Sequence, residues 1–469
     1  MRATVQTRGR ARAPTPQGSA PRLRSRPLTV ALLFLLVFTL DAVFRRRGFE
    51  DDKSLDVQVV IRLVIWVASV AYALVNFRQL FAMLKQPVTW PWLLLLLWLS
   101  ATAAFSPSPL YTLVSGFSLL AVLVTVLISA ARLGERGTLW VILSAIATVM
   151  VLSLAIYFAI PSFGHAYTFH LKSLVMTSRL RGIANQPNVL GQMSGAAALI
   201  GIVYYGRLAG RKALALQIII ALGIACVILA QSRTTLVAMV FGLAFYWLMQ
   251  RKSRWAIPLV LVLATFFLFF AIPNAEFIAS KFARSGNAEE IYTATSRVYV
   301  WQVAWHLIQM KPIIGWGYNT VPQVFPQYIP TVAPEIIAYT PPHAHDAYLQ
   351  IAYSGGVIAF LLFVAGIVNT GRILIINRAW SALSILAFWM VTTLTEPGGF
   401  SGVANVTTVV TFLPVGACCL LELAAHRRRQ NAQPKRPSRK SMAEKERWTI
   451  SDIEAERQPD LAPEADGSA

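Results

Sequence analysis

The sequence is poor in charge, in histidine and in cysteine, and each shortage narrows what the chain can be. Charged residues make up 13% of its 469 residues, against 56% hydrophobic, and the mean hydropathy is +0.56. Average soluble chains carry roughly 25% charged residues. A deficit sustained over this length excludes a water-soluble globular protein and requires a membrane. It also excludes a soluble nucleic-acid binder, which the formal charge of +21 would otherwise suggest. Three cysteines, Cys226, Cys418 and Cys419, all lie in apolar runs. Neither a disulfide framework nor a cysteine-ligated metal is expected from them; they read as small buried hydrophobes. No repeat of fixed period is present.

What is present is a series of apolar runs. A spanning helix needs roughly 20 mostly apolar residues. Twelve candidate spans satisfy this within a few residues: 28–44, 57–77, 88–105, 110–130, 139–160, 187–206, 213–231, 234–249, 255–272, 348–368, 378–395 and 403–424. The expected fold is therefore an all-α polytopic membrane protein. With both termini placed in the cytoplasm, most of the 42 lysines and arginines fall on the inner side, as the positive-inside rule requires. Residues 1–27 and 425–469 are polar and Pro/Arg-rich and are expected to be disordered cytoplasmic tails, resting on anionic membrane lipids. Between them, 28–424 forms the membrane domain. The arginine-rich start followed by an apolar stretch resembles a signal peptide, but with no small-x-small cleavage pattern it reads as an uncleaved anchor.

Two outer segments are long, 161–186 and 273–347, and long loops in compact chains tend to be functional or disordered. In the second, Val298, Trp301, Trp305 and Ile308 recur at three- and four-residue spacing. They predict an amphipathic helix over about 295–310, starting near Thr295 or Ser296, ended by Pro312 and Gly315, and lying flat on the outer membrane face.

Five of the six histidines, His165, His170, His306, His343 and His345, fall in outer segments. Any chemistry should therefore face outward, where there is no ATP and a pre-activated substrate is needed. Arg179 and Arg181 precede "GIANQPNVLG", in which Pro187 suits the first helical turn. The N–H groups of Asn188, Val189 and Leu190 then sit at the positive end of a helix dipole, a plausible anion site. Arg233, in a short turn, and Arg297, one turn before Trp301, are further outward cations. Headgroup snorkelling and, for Arg297, a cation–π contact with Trp301 are the plainer readings. Several arginines converging on one multiply charged anion is the functional one, because the guanidinium fork is bidentate and permanently charged.

The stretch "PPHAHDAYLQIAYSGG" at 341–356 admits three readings. His343, His345 and Asp346 could ligate zinc, although side chains at i and i+2 should diverge. Asp346 could cap the helix beginning near Tyr348. A histidine beside a bound phosphate could do acid–base work. Asp41 and Arg62 read as a buried structural pair, and Glu396 as a candidate acceptor-side carboxylate.

Taken in order, these pieces resemble the O-antigen ligase and O-antigen polymerase family. The matching elements are Arg179–Gly182 with Pro187-Asn188; Ser232-Arg233; Arg297 and Trp301 with Pro312, Gly315 and Gly317; and His345, Leu349 and Gly356. Asp346 stands where the family usually has Asn. The resemblance implies a metal-independent, inverting glycosyltransferase without cofactor in the bacterial inner membrane, with its active site on the periplasmic side. The donor would be an undecaprenyl-diphosphate-linked glycan. The acceptor would be lipid A–core, a growing glycan or a protein hydroxyl. Arg179, Arg181, Asn188 and Arg233 would meet the donor diphosphate, and His345, Arg233 and Arg297 would be catalytic. The competing expectation is a transporter of polysaccharide or lipid-linked glycan without catalysis, which would need polar groups near the membrane midplane.

Overall fold

The computed structural model describes residues 26–44, 56–170, 175–206, 209–250, 297–336 and 340–432. The chain forms two compact units, Met1–Leu421 and Glu422–Ala469. In the second, residues 422–432 are helical and Arg427, Arg428 and Arg429 are exposed. Most of both expected tails, the ninth expected span at 255–272 and the predicted helix start at Thr295 or Ser296 lie outside the described residues.

The described residues are mostly helical, with several helices apolar and long enough to cross a membrane, as a polytopic α-helical membrane protein requires. In order, its elements are α1 (Arg26–Asp41), α2 (Val57–Val75), α3 (Phe77–Leu84), α4 (Thr89–Ala101), α5 (Pro109–Ala159) and the single turn α6 (Pro161–Gly164). A hairpin follows, β1 (His165–His170) and β2 (Val175–Leu180), then α7 (Pro187–Tyr205), α8 (Arg211–Leu229) and α9 (Arg233–Gln250). The remaining helices are α10 (Arg297–Met310), α11 (Val321–Val332), α12 (Ala347–Ile376), α13 (Trp380–Thr393) and α14 (Val406–Ala432). Among the described residues five helices are long and apolar enough to cross a membrane, or six if α3 and α4, bent by 104°, form one span. The fourth and fifth expected spans run together as α5, interrupted only at Gly134 (φ 70°, ψ 173°).

The interior is built on tryptophan. Trp92 is fully buried and meets the rings of Phe363, Trp389 and Phe412 edge-on, at centroid distances of 6.0, 6.3 and 5.8 Å. Edge-to-face contacts of this kind are the favoured aromatic geometry. Its indole N–H donates to Thr370 Oγ1 at 3.1 Å, so no polar atom of the ring is stranded. All three cysteines are buried and free of disulfides. Asp41 and Arg62 serve different backbones. Asp41 Oδ2 accepts from the N–H of Val406 at 2.7 Å, at the start of α14, and Arg62 donates to the carbonyls of Thr39 and Ala42. Both pin the end of α1, and the Arg62 charge also acts on the Asp41 carboxylate, as expected of a pair.

The segment after α9 differs from expectation in a second way. The helix over 297–310 exists, but its buried stripe is Val300, Val303, Ala304 and Leu307. That stripe packs with Val321, Val324, Phe325 and Ile329 of α11 and Tyr353 of α12. The predicted stripe is offset from it, and Trp305 is 56% exposed. The helix buries its small and branched face against protein, which the tryptophans' size obscured in the sequence.

The segment after α10 explains two of the spacing motifs. Helix α12 breaks at Gly355 and Gly356, where Gly356 takes φ +66°. Residues 312–317 fill the break. Trp316 N–H donates to Tyr353 O, Gly317 N–H to Ser354 O, and Val357 N–H to Pro312 O. A Cβ on Gly356 would lie 2.0 Å from Ile313 O, and one on Gly315 2.5 Å from Tyr353 O. Only glycine fits both the left-handed backbone and the close approach. Gly356→Ala should therefore destabilise the protein by about 2 kcal/mol or more. The check is the thermal unfolding midpoint of detergent-purified protein, which should fall by several degrees.

Candidate functional site

The ends of several elements converge on one carboxylate. Glu396 follows α13 and is buried at 7% relative exposure. Its Oε1 accepts from Asn188 Nδ2 at 2.7 Å and from Arg297 Nη2 in a very short ion pair. Its Oε2 lies 3.7 Å from His345 Nδ1, an ion-pair distance longer than a hydrogen bond. Burial alone would raise the Glu396 pKa. The His345 and Arg297 contacts outweigh it and hold the carboxyl down to about 2.

Each partner is set by local structure. Asn188 is the second residue of α7, which Pro187 opens. Its Oδ1 accepts from Arg179 Nη2 at 2.6 Å. Arg179, on β2 opposite Ala166, is 7% exposed and also donates from Nε and Nη2 to the carbonyl of Ala230, at 2.9 and 2.8 Å. This arginine thereby joins the hairpin, the start of α7 and the turn between α8 and α9. Of the expected anion-binding amides, Leu190 N–H is already committed to Gln186 O. Arg297 opens α10 with its side chain 17% exposed, and its guanidinium goes to Glu396 in place of the cation–π contact weighed for Trp301.

His345 is held by an unusual backbone. It sits at φ +55°, in the left-handed region that a non-glycine residue rarely adopts. Asp346 then takes an extended conformation and caps α12, accepting from Leu349 N–H at 2.7 Å. Burial raises the Asp346 pKa. The turn at His345 folds His343 back, so the two rings meet edge-on with centroids 4.2 Å apart. The sequence argument that side chains at i and i+2 diverge therefore fails here, because it assumed a regular strand or helix.

His343, His345 and Glu396 each offer one ligand atom, all within 4.8 Å of one another, a set able to hold a divalent ion. Against that use, Glu396 Oε1 is already shared by Arg297 and Asn188, and a dication would sit beside the Arg297 guanidinium. His343 Nδ1 accepts the His345 backbone N–H at 3.3 Å. These residues fit an arginine-neutralised carboxylate better than a metal centre.

The remaining expected residues lie close by in sequence without joining the carboxylate in the contacts described. Arg233 opens α9, between Ala230, which accepts from Arg179, and Thr234, whose Oγ1 accepts from Thr395 Oγ1 at 2.9 Å. Arg181 Nη2 donates to His165 O at 3.0 Å, and its Nε is buried without a hydrogen-bond partner. Burial lowers the Arg181 pKa. Glu396 is the residue that motif reasoning undervalued. Its signal was an isolated acid at the end of an apolar run, ahead of Pro397-Gly398-Gly399.

Burial, with His345 second, pushes the His343 pKa down to about 3. A depressed histidine contributes stability that is fully present above its unfolded value, roughly 6.5. It is lost as pH falls from there towards about 3, because the unfolded chain binds the proton first. The wild type should therefore melt at progressively lower temperature between pH 6.5 and pH 4. His343→Gln should flatten that dependence when melting is followed by fluorescence in detergent.

Residues 218–364 match the family model described as O-Antigen ligase. No curated protein matches the chain. The matched stretch contains Arg233, Arg297, His343 and His345, and leaves Arg179, Asn188 and Glu396 outside it. The match, from within α8 to within α12, supports a likeness to the O-antigen ligase family over that stretch.

Proposed function

We propose that the protein transfers or polymerises a glycan from an undecaprenyl-diphosphate-linked donor on the periplasmic face of the bacterial inner membrane, as a ligase or as an O-antigen or exopolysaccharide polymerase. The observation that carries this reading is the convergence of Arg179, Asn188, Arg297, His345 and Glu396 at the ends of separate elements, in a chain that matches the family's model over part of its length. A twelve-span topology with cytoplasmic termini puts those ends on the periplasmic side.

The chemistry follows from the charges. The acceptor hydroxyl attacks the anomeric carbon, the sugar–oxygen bond to the lipid diphosphate breaks, and the configuration inverts. Negative charge grows on the departing diphosphate oxygen. Cationic groups placed there stabilise the transition state more than the ground state, without a metal. Arg179, Arg181, Asn188 and Arg233 face the diphosphate, with Arg297 completing the positive wall. His345 positions the acceptor hydroxyl and takes its proton, with its Nδ1 side turned to Glu396. The acceptor is lipid A–core, a growing glycan or a protein hydroxyl. Apolar helices supply the groove for the prenyl tail.

Detergent-purified protein given a polyprenyl-diphosphate glycan and an acceptor should form the glycosidic product without a membrane gradient, which a transporter would not do. Arg233→Ala and His345→Ala should each cut the rate by about 100-fold or more while leaving insertion and melting intact. Wild-type rates from the double variant would sink the assignment. Deletion in cells separates the acceptors. Surface glycan reduced to a single repeat indicates a polymerase, and accumulated lipid-linked polymer indicates a ligase.

A further inference from the structure

A site built to hold a diphosphate should not contain a buried carboxylate of the same sign as its ligand. Yet Glu396 lies at the centre of this one, bonded to Arg297 and to Asn188, the asparagine expected to meet the anion. Its burial costs desolvation energy, which the ion pair with Arg297 offsets. A carboxylate that only filled space would be replaced at no loss by a neutral group of the same shape. One that touches Arg297, Asn188 and His345 at once has an electrostatic consequence for each.

We infer that Glu396 is a built-in counter-anion: it holds Arg297 in the place of a substrate phosphate and, by competing for that arginine, limits how tightly the site retains a diphosphate. This rests on the glycan-transfer reading, since it concerns the leaving group of that reaction. A lipid diphosphate carries several negative charges, and a cluster of arginines with no internal anion would bind the product tightly enough to slow its departure. With Glu396 present, Arg297 has a partner to return to. A guanidinium has five N–H donors, so it can keep its bond to Glu396 while turning others to a phosphate, and withdraw them as the product leaves. Glu396 also keeps Arg297 and His345 in register while the site is empty, which makes it a positioning residue.

The test uses full-length protein in detergent with inorganic pyrophosphate as the probe, binding measured by calorimetry at pH 7. Glu396→Gln keeps the shape of the side chain and removes its charge. It should bind pyrophosphate about tenfold tighter or more, the effect expected on removing a like charge within ~4–6 Å. In the transfer assay it should lower KM for the donor and also lower kcat, as release becomes slow. A residue with a merely structural role would raise KM or leave it unchanged. In the Arg297→Gln background, Glu396→Gln should lose most of this gain, because the arginine it frees is gone. Should Glu396→Gln fail to fold, Glu396→Asp keeps the charge but draws it back by one methylene. It should bind pyrophosphate at an affinity between wild type and that expected for the glutamine variant.

Equal or weaker binding by a folded Glu396→Gln overturns the inference, as does Glu396→Asp binding no tighter than wild type. An absence of pyrophosphate binding by both proteins overturns it as well. The glycan reading is scored separately. Tighter pyrophosphate binding with no transfer by the wild type sinks that reading and leaves the counter-anion role standing. Transfer with no change in pyrophosphate binding does the reverse.

Discussion

The site depends on the negative charge of Glu396. Without it, Arg297 would be a partly buried cation with no counter-charge, Asn188 would lose the acceptor for its amide, and the Nδ1 side of His345 would lose the charge it faces. Desolvation of two ions is costly, and their attraction repays it only when the remaining polar atoms are also bonded. Glu396 Oε1 meets that condition by accepting from two donors. Against the effect of burial, the His345 and Arg297 contacts hold the carboxyl well below the usual carboxylate range, which favours its charged form.

A second constraint places His345. Helix α12 cannot run straight from Asp346, because its break at Gly355 and Gly356 is occupied by residues 312–317. Those residues come directly from α10, whose first residue is Arg297. The cation and the histidine are therefore set by one backbone lock, which follows the helix that Arg297 opens and breaks the helix that follows His345. The buried stripe of α10 and the Tyr353 ring share a single apolar cluster, which stiffens the same connection. Interiors packed to this density transmit displacement and do not absorb it, so a change at Gly315 or Gly356 should be felt at both residues.

This division explains what was legible in the sequence. Hydropathy located most of the helices, because a run of apolar residues is a local property. The cap at Asp346, the helix ending before Pro312 and the glycines at 315 and 356 were legible too, since each is a short-range rule of backbone chemistry. What was not legible depended on distance. Glu396 and Asn188 are 208 residues apart, and no spacing rule connects them. The His343–His345 contact was misjudged because it needs a left-handed residue that is not glycine. The inward stripe of α10 was misread by one position, because the large tryptophan rings draw the eye to their face, while packing prefers the smaller face.

The two best-placed arginines are therefore different in kind. Arg179 is tied by Nε and Nη2 to the carbonyl of Ala230 and to Asn188. Those partners are a backbone oxygen in the turn and an amide at the start of α7, and Arg179 is buried between them at 7% exposure, which leaves it little room to turn to an arriving anion. Arg179 is thus part of the frame: it fixes the hairpin, the start of α7 and the turn before α9 relative to each other, and so places Arg233. Arg297 is bonded to a carboxylate, the one kind of partner for which a phosphate is a direct substitute. If charge has to be stabilised as it develops and then let go, the arginine that can change partners is suited to the second task and the one that cannot is suited to the first. The same guanidinium group takes either role according to whether its partner is backbone or carboxylate.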